Sequence, residues 1–303
     1  MALSNTVTLT PVVSAIPQSE FPVNILPDVF SATLSGNGNL LAFASRQALL
    51  PEDTNDIADV YIKDFANDTL SLASVRTDPA QTNVGTSDLS LSSDGRYLAY
   101  IAPGGVYVKD LQSGTMTLAS ATSDGVGANM YCSKAKISAD GHFVTFLSKA
   151  TNLSTLDTFG KNQAYVKNLE TGVLTLVSSD ANGNPANKDA LGPSISADGH
   201  YVQFGSGSTN LLPGEQYFNR KSFVKDVQTG AIIMTSTDPA GHMAQIVSDG
   251  GQISTNGRYS MFDSSWDLIP EDVNGRSDVY VKDLQTGQLR LVTPGGYLSK
   301  IYS

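Results

Sequence analysis

The chain of 303 residues holds one cysteine, Cys132, one tryptophan, Trp266, and three histidines. A lone thiol excludes an internal disulfide and any cysteine-rich zinc site. No apolar run approaches the ~20 residues that span a bilayer, so membrane insertion is not expected. Basic residues are scarce beside acidic ones, 19 against 29, for a formal net charge of −10. Such a surface has no general grip on nucleic acid phosphates or anionic lipid. The opening residues, MALSNTVTLTPVV, lack a basic region followed by an apolar stretch, so no secretory signal is visible. No segment carries a convincing helical period of apolar residues. A G-x-S-x-G elbow, an H-E-x-x-H helix and a Walker loop are also missing. Glu215 and Glu271 have the residue type of a glycosidase pair, but that chemistry needs a fixed carboxyl separation that spacing across the chain does not provide. The reading leans away from an enzyme.

What the chain has in quantity is a repeated phrase. SGNGNLLAF begins at residue 35, SSDGRYLAY at 92, SADGHFVTF at 138, SADGHYVQF at 196 and STNGRYSMF at 254. A second phrase follows each: VYIKDFAND at 60–68, VYVKDLQSG at 106–114, YVKNLETG at 165–172, FVKDVQTG at 223–230 and VYVKDLQTG at 279–287. Repetition at spacings of 57, 46, 58 and 58 residues overrides any local reading. Each unit parses as four short strands rich in Val, Tyr, Phe and Thr. Asp-Gly and Thr-Gly turns join them, because glycine accepts the positive φ such turns need. In the fourth unit the expected strands are 194–196, 200–204, 222–227 and 231–236.

Four-stranded antiparallel units arrayed about an axis form a β-propeller, an all-β fold; a linear solenoid of the same unit would leave its edges open. Five written units favour five blades. A sixth, degenerate blade built from the termini, Thr6–Thr10 with Tyr297–Tyr302, is the alternative. The chain then reads as a single domain over 1–303. Its units are 35–91, 92–137, 138–195, 196–253 and 254–303, and residues 1–34 are a lead-in and closing strand. The pattern S-x-D-G-x-[YF]-x-x-[FY] followed by D-V-[YF]-V-K-D-L-x-T-G resembles the TolB-like propeller repeat, a bacterial relative of the WD-type blade. The resemblance runs from about residue 28 to 293. It implies the fold, and beyond it a periplasmic or secreted protein-binding platform or a propeller attached to a hydrolase, here without the hydrolase. The first unit departs from the pattern, with Asn37-Gly38 for Asp-Gly and Asn67-Asp68 for Thr-Gly.

In a propeller the turns after the first and third strands share one face, and the connections after the second and fourth share the other. Here the first set is tight and the second long and varied, so recognition is expected on the second. The second unit breaks the symmetry: its inner loop shrinks to Ala102-Pro103-Gly104-Gly105, which predicts a notch unless it is simple loop-length drift. The loop aromatics Trp266, Tyr131, Tyr217 and Phe218 are the candidate contact residues, Trp266 having packing beneath its own loop as its competing role.

Two loops share a D-x-N-[DG]-x-x-D pattern: Asp53, Asn55 and Asp59, and Asp272, Asn274 and Asp278. Oxygen ligands spaced around a tight turn suit calcium. Against this, the closing Glu of an EF-hand is absent, the third and fourth units have lost the pattern, and Asp and Asn cap turns unaided. The repeated lysines Lys63, Lys109, Lys167, Lys225 and Lys282 are expected to serve the blades. His142 and His200 align with Arg96 and Arg258 as turn-exit residues. A protein or peptide is the expected partner and a glycan the alternative, as for a lectin or a glycan-cleaving module. Nucleic acid is not expected.

Overall fold

The computed structural model of the chain describes residues 28–54, 57–74, 88–213, 219–244 and 250–293. They form five four-stranded antiparallel sheets and no helix. The first blade is β1 (Val29–Leu34), β2 (Leu40–Ser45), β3 (Asp59–Asp64) and β4 (Thr69–Leu72). The second is β5 (Ser90–Leu91), β6 (Tyr97–Ala102), β7 (Gly105–Asp110) and β8 (Met116–Leu118). The third is β9 (Cys132–Ile137), β10 (Phe143–Ser148), β11 (Gln163–Asn168) and β12 (Leu174–Leu176). The fourth is β13 (Ala190–Ile195), β14 (Tyr201–Ser206), β15 (Lys221–Asp226) and β16 (Ile232–Met234). The fifth is β17 (Gln252–Ile253), β18 (Tyr259–Ser264), β19 (Asp278–Asp283) and β20 (Leu289–Leu291). Each blade pairs in simple sequence order, as propeller blades do. The closing segments Thr6–Thr10 and Tyr297–Tyr302 lie outside the described residues.

Strand ends differ from the sequence reading for local reasons. β13 begins at Ala190 rather than near Ser194, because the strand continues through Pro193 by a register shift between Leu191 and Ser194. A bulge lets a residue with no N–H stay in the strand. β16 ends at Met234, where the Thr235 N–H turns back to the Ser222 carbonyl at 2.8 Å.

The first phrase builds its own turn. Ser196 Oγ donates to Asp198 Oδ1 at 2.6 Å, the same carboxyl oxygen accepts the His200 N–H, and the Tyr201 N–H donates back to Ser196 Oγ. In the first unit Asn37 does the work of the missing Asp, accepting from Ser35 Oγ at 2.7 Å and from the Asn39 N–H. Asp68 replaces the glycine of the second phrase by adopting φ 52°, a conformation Asp tolerates better than most residues.

The same phrases join the blades. Gly199, at φ 72°, faces the Phe143 ring of the preceding blade; Gly141 faces Tyr97, and Gly257 faces Tyr201. Each of these aromatics stands two residues after its own blade's turn glycine, so the third and fourth copies offer both a ring and a seat for a ring; Gly95 faces Leu40 of the first blade instead. Backbone bonds run from turn to turn: Gly36 N–H to Ser93, Ser93 N–H to Ala139, Asp140 N–H to Ala197 and Ala197 N–H to Thr255. The repeated lysines complete the seams on the other side. Lys109 donates to the Ala73 carbonyl, Lys167 to Ala121, Lys225 to Asp180 and Lys282 to Thr237, each reaching the connection that leaves the previous blade. Burial pushes the pKa of all four ammonium groups down. Lys63, in the first blade, pairs instead with Asp68 of its own turn at 2.5 Å. Gly38 likewise has nothing within 4 Å of its seat.

Cross-strand aromatic pairs fill the core. Phe43–Tyr61, Phe146–Tyr165, Phe204–Phe223 and Phe262–Tyr280 stack with ring centroids 5.6–5.9 Å apart, and all eight rings are buried. Burying each such side chain is worth about 1.5–3 kcal/mol.

Candidate functional site

The loops between second and third strands run 13 residues in the first and fifth blades and 14 in the third and fourth. In the second blade only Pro103 and Gly104 separate β6 from β7. The consequence is visible at the third-strand aromatic. Tyr61, Tyr165, Phe223 and Tyr280 are fully buried under their loops, whereas Tyr107 is half-buried. Its hydroxyl donates to the Pro103 carbonyl at 3.4 Å, and its ring stacks on Tyr100. Tyr107 is therefore left partly uncovered where the loop is short, a residue the sequence reading did not single out. The available signal was the full aromatic phrase VYVKD in the one unit without a covering loop. Gly105, at φ 143°, closes the turn where a Cβ would run into Ser120 and Leu118.

The connection that leaves the second blade carries Met130 and Tyr131, Tyr131 being 71% exposed. The loop is held from below. Asn129 donates to Thr151 Oγ1 and accepts the Thr151 N–H, both at 3.0 Å, and Asn152 donates to the Gly127 carbonyl. Asn187, Thr209 and Asn210 repeat this clamp one blade later. Rigidly held loops lose little entropy on binding.

Further exposed apolar side chains lie on the same face: Leu156 and Phe159 in the third blade, and Trp266 and Val273 in the fifth. Phe159 holds φ 55°, unusual for a bulky residue. Trp266 is 51% exposed rather than packed under its loop. Its backbone is fixed by Ser264 and Tyr280, and its ring lies 6.0 Å from the Lys221 ammonium. Tyr131 and Trp266 stand on different blades, so they mark separate parts of the face. Tyr217 and Phe218 lie outside the described residues, as does Glu215.

The acidic loops are organised around tyrosines. Asp53 accepts the Tyr61 hydroxyl, and Asp272 accepts that of Tyr280. Burial and the adjoining carboxylate push both phenols up. Asp59 accepts Ser74 Oγ, and Asp278 accepts Thr293 Oγ1 at 2.8 Å. Asn274 donates to Asp278 Oδ2 at 2.8 Å, and its own oxygen accepts the Arg276 N–H at 2.7 Å. Asn55 lies outside the described residues. Among the described residues no group of three or more His, Cys, Asp or Glu is placed to hold a metal ion, so any ion would also need amide oxygens. His142 and His200 are turn-exit residues, beside Glu170 and Asp198 respectively.

Solved structures share this architecture. TolB from Acinetobacter baumannii aligns over 89% of this chain and 55% of its own, with a TM-score of 0.50 and 15% identity. The putative TolB from Agrobacterium tumefaciens aligns over 88% and 81%, with a TM-score of 0.52 and 16% identity. The chain has a TolB-like propeller fold. It spans little more than half the length of the Acinetobacter protein. No protein-family model and no curated protein matches it. At this identity the likeness is one of frame, the TolB-like propeller scaffold. No helix among the described residues is long and apolar enough to cross a membrane.

Proposed function

We propose that this TolB-like propeller is a non-enzymatic binding platform, acting outside the bacterial cytoplasm, that engages a protein or peptide through its loop-rich face. The supporting observation is the short loop over Tyr107, the one third-strand aromatic left half-open, with Met130 and Tyr131 exposed on the connection leaving the same blade. A clamped loop bearing an exposed aromatic suits a binding anchor, since Tyr supplies much contact area at small entropic cost. The other exposed apolar residues extend the surface toward Trp266.

Selection of a displayed peptide library on the full chain tests this. Selected peptides are expected to bind the wild type and to lose at least about tenfold in affinity with Tyr131→Ala, the size of one interface anchor. A Val173→Ala variant, altered on the tight-turn face, is expected to bind normally. Failure to select any peptide, together with specific binding on a glycan array, would refute the platform and favour a carbohydrate-binding module.

A further inference from the structure

We propose that the loop joining β18 to β19 is a divalent-cation site, best suited to calcium, in which Asp272, Asn274 and Asp278 supply the side-chain oxygens. Asp272 is 4% exposed and Asp278 1% exposed. Neither forms an ion pair with a lysine, arginine or histidine among the described residues. The Tyr280 hydroxyl bonds to Asp272 Oδ2, and Asn274, two residues on from Asp272, bonds to Asp278 Oδ2, so one short loop holds all three side chains. Asp272 Oδ1 is buried there with no hydrogen-bond partner. Two buried carboxylates in one loop without a counter-charge are costly, and a bound cation resolves that cost.

The other blades act as internal controls. Asp278 opens its third strand opposite Ser264; Lys221 opens the equivalent strand opposite Ser206, and Gln163 opposite Ser148. At this register Lys221 sends its buried ammonium to the Ala244 carbonyl, and Gln163 sends its amide to the Ala186 carbonyl. Where the fourth blade places its own cation and the third a neutral donor, the fifth places a carboxylate and adds a second eight residues before Tyr280. In the third blade Asp157 is exposed and caps Phe159, and the Tyr165 hydroxyl is left without a partner. The Asp272–Tyr280 arrangement is therefore specific to loops that keep the motif. Asn274 fits the third place: its amide oxygen accepts one N–H and retains a second lone pair for a metal. Hard oxygen donors around a turn containing Gly275, at φ 62°, match calcium's preference.

The test is calcium binding to the chelator-treated full chain, by equilibrium dialysis and by thermal melting. Saturable binding within about 10⁻⁶–10⁻³ M and a higher Tm with calcium are expected. Asp278→Lys, which copies the fourth blade, should bind one ion fewer than the wild type. Asn274→Ala, on the partly exposed part of the loop, should weaken that same ion by roughly tenfold and keeps the test open if the first variant does not fold. Absence of binding at about 1 mM, or variants that match the wild type in stoichiometry and affinity, would overturn the proposal.

Discussion

The turn glycines do two jobs, and two of them separate the jobs cleanly. Gly172 and Gly199 share the same φ, 72°. Gly172 has nothing within 4 Å of where a Cβ would stand, whereas at Gly199 three carbons of the Phe143 ring lie within 2.7 Å. Gly172→Ala therefore adds only the strain of a left-handed backbone, about 1–2 kcal/mol, partly offset by a stiffer unfolded chain. Gly199→Ala adds the same strain and also forces a ring out of its seat between blades, a further ~1–3 kcal/mol of overpacking. Urea unfolding should show both variants destabilised at unchanged slope, with the Gly199 variant weaker by that second increment. Trimming the ring should release the conflict, so Gly199→Ala combined with Phe143→Ala should cost less than the sum of the two singles. Equal losses for the two glycine variants, with an additive double mutant, would refute the claim that the Asp-Gly turn is a seat for the neighbouring blade.

Two further perturbations address the seams and the ion pairs. Lys225→Met leaves the Ser179 and Asp180 carbonyls without their buried donor and should cost about 1–3 kcal/mol. Lys63→Met breaks only a pair with a largely exposed Asp68 and should cost under ~1 kcal/mol in the same urea assay; equal costs would contradict the stitching role. Arg96 and Arg258 hold Asp110 and Asp283 well below the usual carboxylate range through their hydrogen bonds. A carboxyl depressed in the folded state contributes stability that is complete above its unfolded pKa of about 3.9 and is lost as pH falls toward the folded value. Arg258→Ala should thus return Asp283 to an ordinary titration, read by carboxyl NMR, and flatten stability against pH below about 4. An unmoved Asp283 titration would contradict the assignment.

The chain's own residues were enough to predict the blade. Turn chemistry is local: Ser196, Asp198 and Gly199 make their bonds within six residues, and so do Asp226 and Gly230. Strand alternation and near-constant spacing then imply five similar sheets, and the shortened loop at Ala102–Gly105 is readable by counting. Even the substitutions at Asn37 and Asp68 preserve local chemistry, so the first unit's departures did not alter its turns. What the sequence could not show were facts between units. In the second to fourth units the aromatic after the turn glycine packs against the next blade's turn, and Lys167 and Lys225 reach the connection behind their blades, contacts some 45 residues apart. For Trp266 the sequence favoured packing beneath its own loop, yet it is exposed, because exposure depends on what neighbouring loops cover. The tertiary structure alone decided that Tyr107 is left half-open, and that Asp272 is buried against the Tyr280 hydroxyl. Local hydrogen bonds are encoded by residue type and spacing; burial is a property of everything that folds around a residue.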